Sequence, residues 1–207
     1  MASEEANVWV VDDDDAMRDS LEFLLGAAGF SVKVFESATS LLDALPPGQT
    51  GCVVTDVRMP GMDGIELLKR LKSEQPGVRV VVMTGHGDVP LAVEAMKLGA
   101  VDFVEKPFED ERLIESIRAA LASAPDTPRG GDAASNEIAA RVASLSPRER
   151  QVMDGLVAGL SNKAIAREYE ISPRTVEVYR ANLMSKMKAA NLSELVRMAM
   201  RAGLLND

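Results

Sequence analysis

Short apolar runs alternate along the first 121 residues with stretches whose apolar positions recur every three or four residues. The runs Asn7–Val11, Ser31–Phe35, Gly51–Thr55, Arg79–Met83 and Val101–Glu105 are too short for helices and read as strands buried on both faces. The intervening stretches read as amphipathic helices. Ala16–Ala27 puts Met17, Leu21, Leu24 and Leu25 on one face and stops at Gly29, and Ala38–Leu45 stops at Pro46-Pro47. Gly64–Ser73 carries Ile65, Leu67, Leu68 and Leu71; Pro90–Leu98 ends at Gly99; Glu109–Leu121 carries Leu113, Ile114, Ile117 and Leu121. Five strands alternating with five helices predict an α/β fold, a five-stranded doubly wound parallel sheet over residues 1–121.

The pattern then changes. The stretch Ala122–Asn136 is dominated by proline, glycine, alanine and polar residues and keeps no apolar period. It reads as a linker, assigned to residues 122–140, with a partly helical extension of the preceding helix as the alternative. Residues 141–207 are expected to be a smaller all-α domain of four helices. Ser146-Pro147-Arg148-Glu149 is a capping box followed by Val152, Leu156 and Val157, with Gly159 as the stop. Ser161 caps Asn162–Tyr169, Ser172-Pro173 opens a helix to about Met187, and Asn191 with Glu194 caps Leu192–Ala202. The second and third of these, joined by Glu170-Ile171-Ser172, have helix-turn-helix proportions.

Charge divides the chain in the same place. The net charge of −9 splits into −11 for residues 1–121, −2 for 122–137 and +4 for 138–207. The acidic part should avoid nucleic acid and the basic end could bind it. No apolar stretch approaches the roughly 20 residues of a membrane span. The single cysteine, Cys52, sits inside an apolar run and reads as a core residue, which fits a reducing cytoplasm.

The strand ends carry the chemistry. Val8-Trp9-Val10-Val11 runs into Asp12-Asp13, Cys52-Val53-Val54-Thr55 into Asp56, Val80-Val81-Val82-Met83 into Thr84-Gly85, and Val101–Glu105 into Lys106-Pro107. Carboxyl ends of parallel strands meet at one edge of the sheet, where open α/β folds keep their ligands. Three carboxylates there repel one another unless a cation intervenes, and hard oxygen donors suit Mg²⁺. Asp56 is then a phosphoryl-accepting nucleophile, Lys106 a fixed positive charge and Thr84 a hydroxyl donor. His86, between Gly85 and Gly87, reads as an exposed loop residue.

The strings Val10-Val11-Asp12-Asp13-Asp14, Thr55–Gly64, Met83-Thr84-Gly85 and Lys106-Pro107-Phe108 resemble a two-component receiver domain over residues 7–121. The resemblance implies phosphorylation of Asp56 and metal ligation by Asp13, Asp56 and the backbone carbonyl of Arg58, with Asp12 acting through water. It implies a cis Lys106–Pro107 bond and a switch pair, Thr84 and Phe103. It also implies a phosphoacceptor that catalyses its own phosphotransfer and slow dephosphorylation rather than a turnover enzyme. Asp14 and Asp15 are expected to be solvated charges at a helix start.

In the basic end, Val176, Leu183 and Met187 form the buried stripe of the second helix-turn-helix helix. Arg174, Thr175, Glu177, Val178, Arg180 and Lys186, with Lys188 just beyond, are the candidate DNA contacts. The strings Leu145–Val152, Gly159–Ala166 and Ser172–Tyr179 resemble the LuxR-type helix-turn-helix. Together with the receiver they resemble the NarL/FixJ class of response regulators, nearest its FixJ branch. That resemblance implies base contacts near Glu177, Val178 and Ala181, and pairing of two modules through the last helix, which makes Leu195, Val196, Ala199 and Met200 candidates for interface as well as core. It implies a sensor histidine kinase, operator DNA and RNA polymerase as partners.

The expected function is a phosphorylation-activated DNA-binding transcription regulator. Phosphorylated Asp56 would reshape the face made by Pro90–Leu98 and Val101–Glu105 and promote a homodimer. One rival is a receiver-type signalling protein acting by protein contact, with weak or no DNA binding. The other, a phosphohydrolase of the haloacid-dehalogenase type, wants an acid two residues after the nucleophile, where this chain has Arg58.

Overall fold

The computed structural model describes residues 7–85, 89–122 and 132–204. His86 and most of the expected linker (residues 123–131) lie outside them. The chain forms two compact units.

The first unit is a single parallel sheet of β1 (Asn7–Val11), β2 (Ser31–Phe35), β3 (Gly51–Asp56), β4 (Val78–Thr84) and β5 (Asp102–Glu105), in the order β2-β1-β3-β4-β5. Its helices are α1 (Asp15–Ala27), α2 (Ala38–Ala44), α3 (Gly64–Glu74), α4 (Val89–Lys97) and α5 (Asp110–Leu121). Each strand and helix stands within two residues of its expected bounds. Side chains alternate between the faces of a strand, so each face collects every second residue. Val8, Val10, Cys52, Val54, Val81, Met83 and Val104 form one apolar layer with Leu21 and Leu25 of α1 and Leu113, Ile117 and Ala120 of α5. The opposite face carries Trp9, Val53, Val80, Val82 and Phe103, all buried. Cys52 is fully enclosed, and burial pushes its thiol up to about 12.

Register places the chemistry. Val11 lies beside Thr55, Asp56 beside Met83, and Thr84 beside Glu105. The last residues of β1, β3, β4 and β5 therefore reach one rim together. Asp14 caps α1 by accepting the Met17 amide, a cap of the kind that stabilises a helix by about 1 kcal/mol. The cis Lys106–Pro107 bond is present.

The second unit contains α6 (Asp132–Ala143), α7 (Pro147–Val157), α8 (Asn162–Glu168), α9 (Pro173–Met187) and α10 (Leu192–Arg201). Helix α6 corrects the expected linker over its second half: residues 132–140 belong to a helix that packs on α9 and α10. An alanine-rich stretch favours the helix without supplying an apolar period. Buried Ile138 anchors it, and Arg141 donates to the Met187 carbonyl at 2.9 Å. The Ser146 and Glu149 capping box forms as expected. Helices α7 and α8 cross closely because position 155 is glycine; a Cβ there would stand 2.7 Å from Ile165 Cγ1.

Candidate functional site

At the carboxyl rim of the sheet, carboxylate oxygens of Asp12, Asp13 and Asp56 lie within 4.8 Å of one another. Asp12 is almost fully buried, Asp56 is 16% exposed at its side chain and Asp13 is exposed. The Lys106 ammonium donates to Asp12 Oδ2 at 2.9 Å and to Asp56 Oδ2 at 2.8 Å. Burial works to lower the lysine pKa, but the hydrogen bonds and charges of Asp56 and Asp12 outweigh it and hold it above the ordinary lysine value. Backbone amides take the other oxygens: Asp14 N–H donates to Asp12 Oδ1 at 3.0 Å, and Arg58 N–H to Asp56 Oδ1 at 3.3 Å. The backbone of residue 58 is thereby held at the pocket.

Three carboxylates against one ammonium leave two negative charges at the rim. That excess, and donors that are all oxygen, fit a hard divalent cation. Asp13 is the most open of the three acids. Thr84 is 2% exposed, and its carbonyl accepts the Lys106 amide at 2.7 Å. Phe103 lies beside Val82, two residues before Thr84 on the same face of β4 and β5, and is buried.

Two supports of this pocket were not foreseen. Arg18 on α1 donates to the Asp12 carbonyl at 2.7 Å, which fixes the end of β1. Asp102, 4% exposed, accepts from both terminal nitrogens of Arg112 at 3.1 Å and from Ser116 Oγ at 3.0 Å. Its other oxygen accepts the Phe103 amide at 2.8 Å, so the network grips the backbone of the expected switch residue. The signal for it was an aspartate inside an otherwise apolar strand, because a buried carboxylate needs partners.

In the second unit, Val176, Leu183 and Met187 are fully buried, as the stripe required. Helix α9 starts at Ser172, whose hydroxyl accepts the Thr175 amide at 3.0 Å and bonds the Thr175 hydroxyl at 2.7 Å. The candidate DNA contacts then separate. Arg174, Glu177, Val178 and Lys188 are exposed, Val178 to 55%. Arg180 reaches Asn162 Oδ1 on α8 at 3.4 Å. The Lys186 side chain is 42% exposed, but its ammonium donates to Glu149 Oε2 on α7 at 2.7 Å, and Glu149 is 4% exposed. Lys186 is thus a surface lysine that is also tied to the bundle by an ion pair. On α10, Leu195, Val196 and Ala199 are fully buried and serve the core, while Met200 remains 38% exposed.

Comparison with known proteins agrees with this division. Residues 8–118 match the response regulator receiver domain family, and residues 143–199 match the luxR family of bacterial regulatory proteins. The chain belongs to the FixJ-type response regulators. It is 67% identical over 201 residues to the transcriptional regulatory protein FixJ of Bradyrhizobium diazoefficiens, covering 97% of this chain and 98% of that protein. It is 53% identical over 196 residues to FixJ of Rhizobium meliloti, covering 95% of this chain and 96% of that one. The crystal structure of full-length FixJ from B. japonicum aligns at a TM-score of 0.55 and 65% identity, over 99% of this chain and all of that one. This response regulator thus couples a phosphorylatable receiver module to a DNA-binding module that regulates transcription, with a histidine kinase as the phosphodonor its class implies.

Proposed function

We propose that this response regulator accepts a phosphoryl group on Asp56 from the phosphohistidine of a sensor kinase. The observation that carries the reading is the Lys106 ammonium bonded at once to Asp12 and Asp56 beside an exposed third acid. A carboxylate oxygen of Asp56 attacks phosphorus in line while the phosphorus–nitrogen bond of the donor breaks. Lys106 stays within reach of the incoming phosphoryl oxygens. Asp13, Asp56 and the Arg58 carbonyl would hold Mg²⁺, with Asp12 acting through water, and the ion would supply charge neutralisation there. The protein undergoes this reaction once per activation and hydrolyses its own acyl phosphate slowly, rather than turning over a substrate.

Phosphate on Asp56 draws the Thr84 hydroxyl, and Phe103 on the same face follows. That remodels Pro90–Leu98 and Val101–Glu105, where β5 is an edge strand and Pro90, Glu94 and Lys97 are exposed. Two receivers then pair, and two helix-turn-helix modules engage two half-sites together, which raises affinity without new contacts. Arg174, Thr175, Glu177, Val178 and Lys188 face the DNA, Arg180 from the rim, and RNA polymerase is recruited at the promoter. Among the described residues no helix is long and apolar enough to cross a membrane, and we assign the protein to the cytoplasm.

The test is acetyl phosphate with Mg²⁺ on the wild type and on Asp56→Asn, followed by mass analysis, sedimentation and DNA binding. The wild type is expected to gain one phosphoryl group, dimerise and bind DNA in a salt-sensitive way, and Asp56→Asn to do none of these. Equal labelling of both proteins rejects Asp56 as the acceptor.

A further inference from the structure

Resting on the DNA-binding reading above, we propose that Glu177 selects a cytosine in each half-site by accepting a hydrogen bond from its exocyclic amino group. The outward face of α9 carries Arg174, Glu177, Val178 and Ala181, all exposed and spaced as neighbours on one side of a helix. The charges of α9 do not all belong to that face. Arg180 turns to Asn162 and Lys186 to Glu149, both on other helices. Glu177 is the only carboxylate on α9, and among the described residues it has no hydrogen bond or ion pair.

A bare carboxylate brought into a major groove faces phosphate charge on both walls. It loses water there and recovers the loss only against a donor. Guanine offers two acceptors in that groove, and thymine an acceptor and a methyl group, so both repel it. The remaining donors are the amino groups of adenine and cytosine. In adenine an acceptor nitrogen sits beside the amino group and opposes the second carboxylate oxygen. In cytosine the neighbour is a carbon-bound hydrogen. Cytosine is therefore the base that satisfies Glu177. Ala181, one turn on, is too short to compete for the same edge, and exposed Val178 offers an apolar wall to it.

The experiment uses full-length protein treated with acetyl phosphate and Mg²⁺, selecting from a library of randomised DNA duplexes. The wild type is expected to enrich a motif with one cytosine per half-site, favoured over other bases by about tenfold. Glu177→Ala is expected to lose that preference while keeping the other positions of the motif, and to bind unselected DNA more tightly because a negative charge has gone. Glu177→Gln is expected to move the preference to adenine, whose amino group and ring nitrogen match a carboxamide. If both variants return the wild-type motif unchanged, the inference is overturned and the DNA-binding reading stands. If the wild type enriches no motif and its binding is insensitive to salt, the DNA-binding reading fails and takes the inference with it. Glu177 is exposed, and circular dichroism on each variant confirms that the fold is kept.

Discussion

Gly64 lies directly against the backbone of Asp56: a Cβ at position 64 would stand 2.1 Å from the Asp56 carbonyl oxygen. The Gly64 amide donates to the Val57 carbonyl at 3.0 Å, so the first turn of α3 closes on the end of β3. Gly64→Ala must displace the Asp56 main chain or the helix. Such overpacking costs about 1–3 kcal/mol. The expected result is a lower receiver melting temperature and slower labelling of Asp56 by acetyl phosphate. A variant that melts and labels like the wild type would show that the two backbones are not held together.

Lys106 bridges two acids, Asp12 and Asp56, that would otherwise meet unshielded. Lys106→Met should lower the melting temperature of the receiver in chelator, and added Mg²⁺ should recover a larger share of stability than it gives the wild type. At a hundred times its dissociation constant, a ligand of the folded state adds about 2.7 kcal/mol. Thermal melts of both proteins across a Mg²⁺ series check this, and melts indifferent to Mg²⁺ in both would remove the metal assignment.

Glu149 gives the second unit a pH dependence of known sign. Its hydrogen bond from Lys186, then those from Ser146, hold the carboxyl below the ordinary glutamate value. A carboxyl depressed by folding contributes stability that is complete above its unfolded pKa and lost as pH falls through the folded one. The helical unit should therefore weaken on acidification below the usual glutamate range. Glu149→Gln should be less stable at neutral pH and flatter in acid, as read by chemical denaturation at stepped pH. Parallel profiles for the two proteins would contradict the ion pair.

Arg174 and Lys186 should respond differently to replacement. Arg174 is exposed on α9, and its change to alanine should reduce the slope of log affinity against log salt by about 1. Lys186→Met should chiefly lower the stability of the bundle, since it strands Glu149, and leave that slope nearly intact. Binding titrations at several salt concentrations separate the two, and a larger slope change for Lys186→Met would reverse the assignment.

Arg112 satisfies a carboxylate buried in β5. With Arg112→Ala, Asp102 keeps only Ser116 and the Phe103 amide, and the loss should be about 1–3 kcal/mol, the lower part of the range because Arg112 is itself 27% exposed. The double variant Asp102→Asn with Arg112→Ala should recover part of it, measured as a double-mutant cycle. Additive losses would show that the two side chains do not act together.

The strands were legible because parallel strands covered on both sides must be apolar almost throughout, as in Val8–Val11 and Val80–Met83. The acids and the lysine were legible because each ends such a run. Helix α6 was hidden: alanine supplies propensity without periodicity, and among its described side chains Ile138 is the one that is buried. The partner of Lys186 was hidden for another reason. Glu149 is 37 residues away and already explained by its capping box, so nothing local announces that its second function is to hold a cation. The Arg18 bond to the Asp12 carbonyl uses a main-chain acceptor that no side-chain pattern can signal.

The lone sulfhydryl of the chain, walled into the middle strand with its ionisation driven far above neutral pH, leaves oxidants and electrophiles no cysteine to modify. That thiol therefore offers redox chemistry no direct hold on the protein.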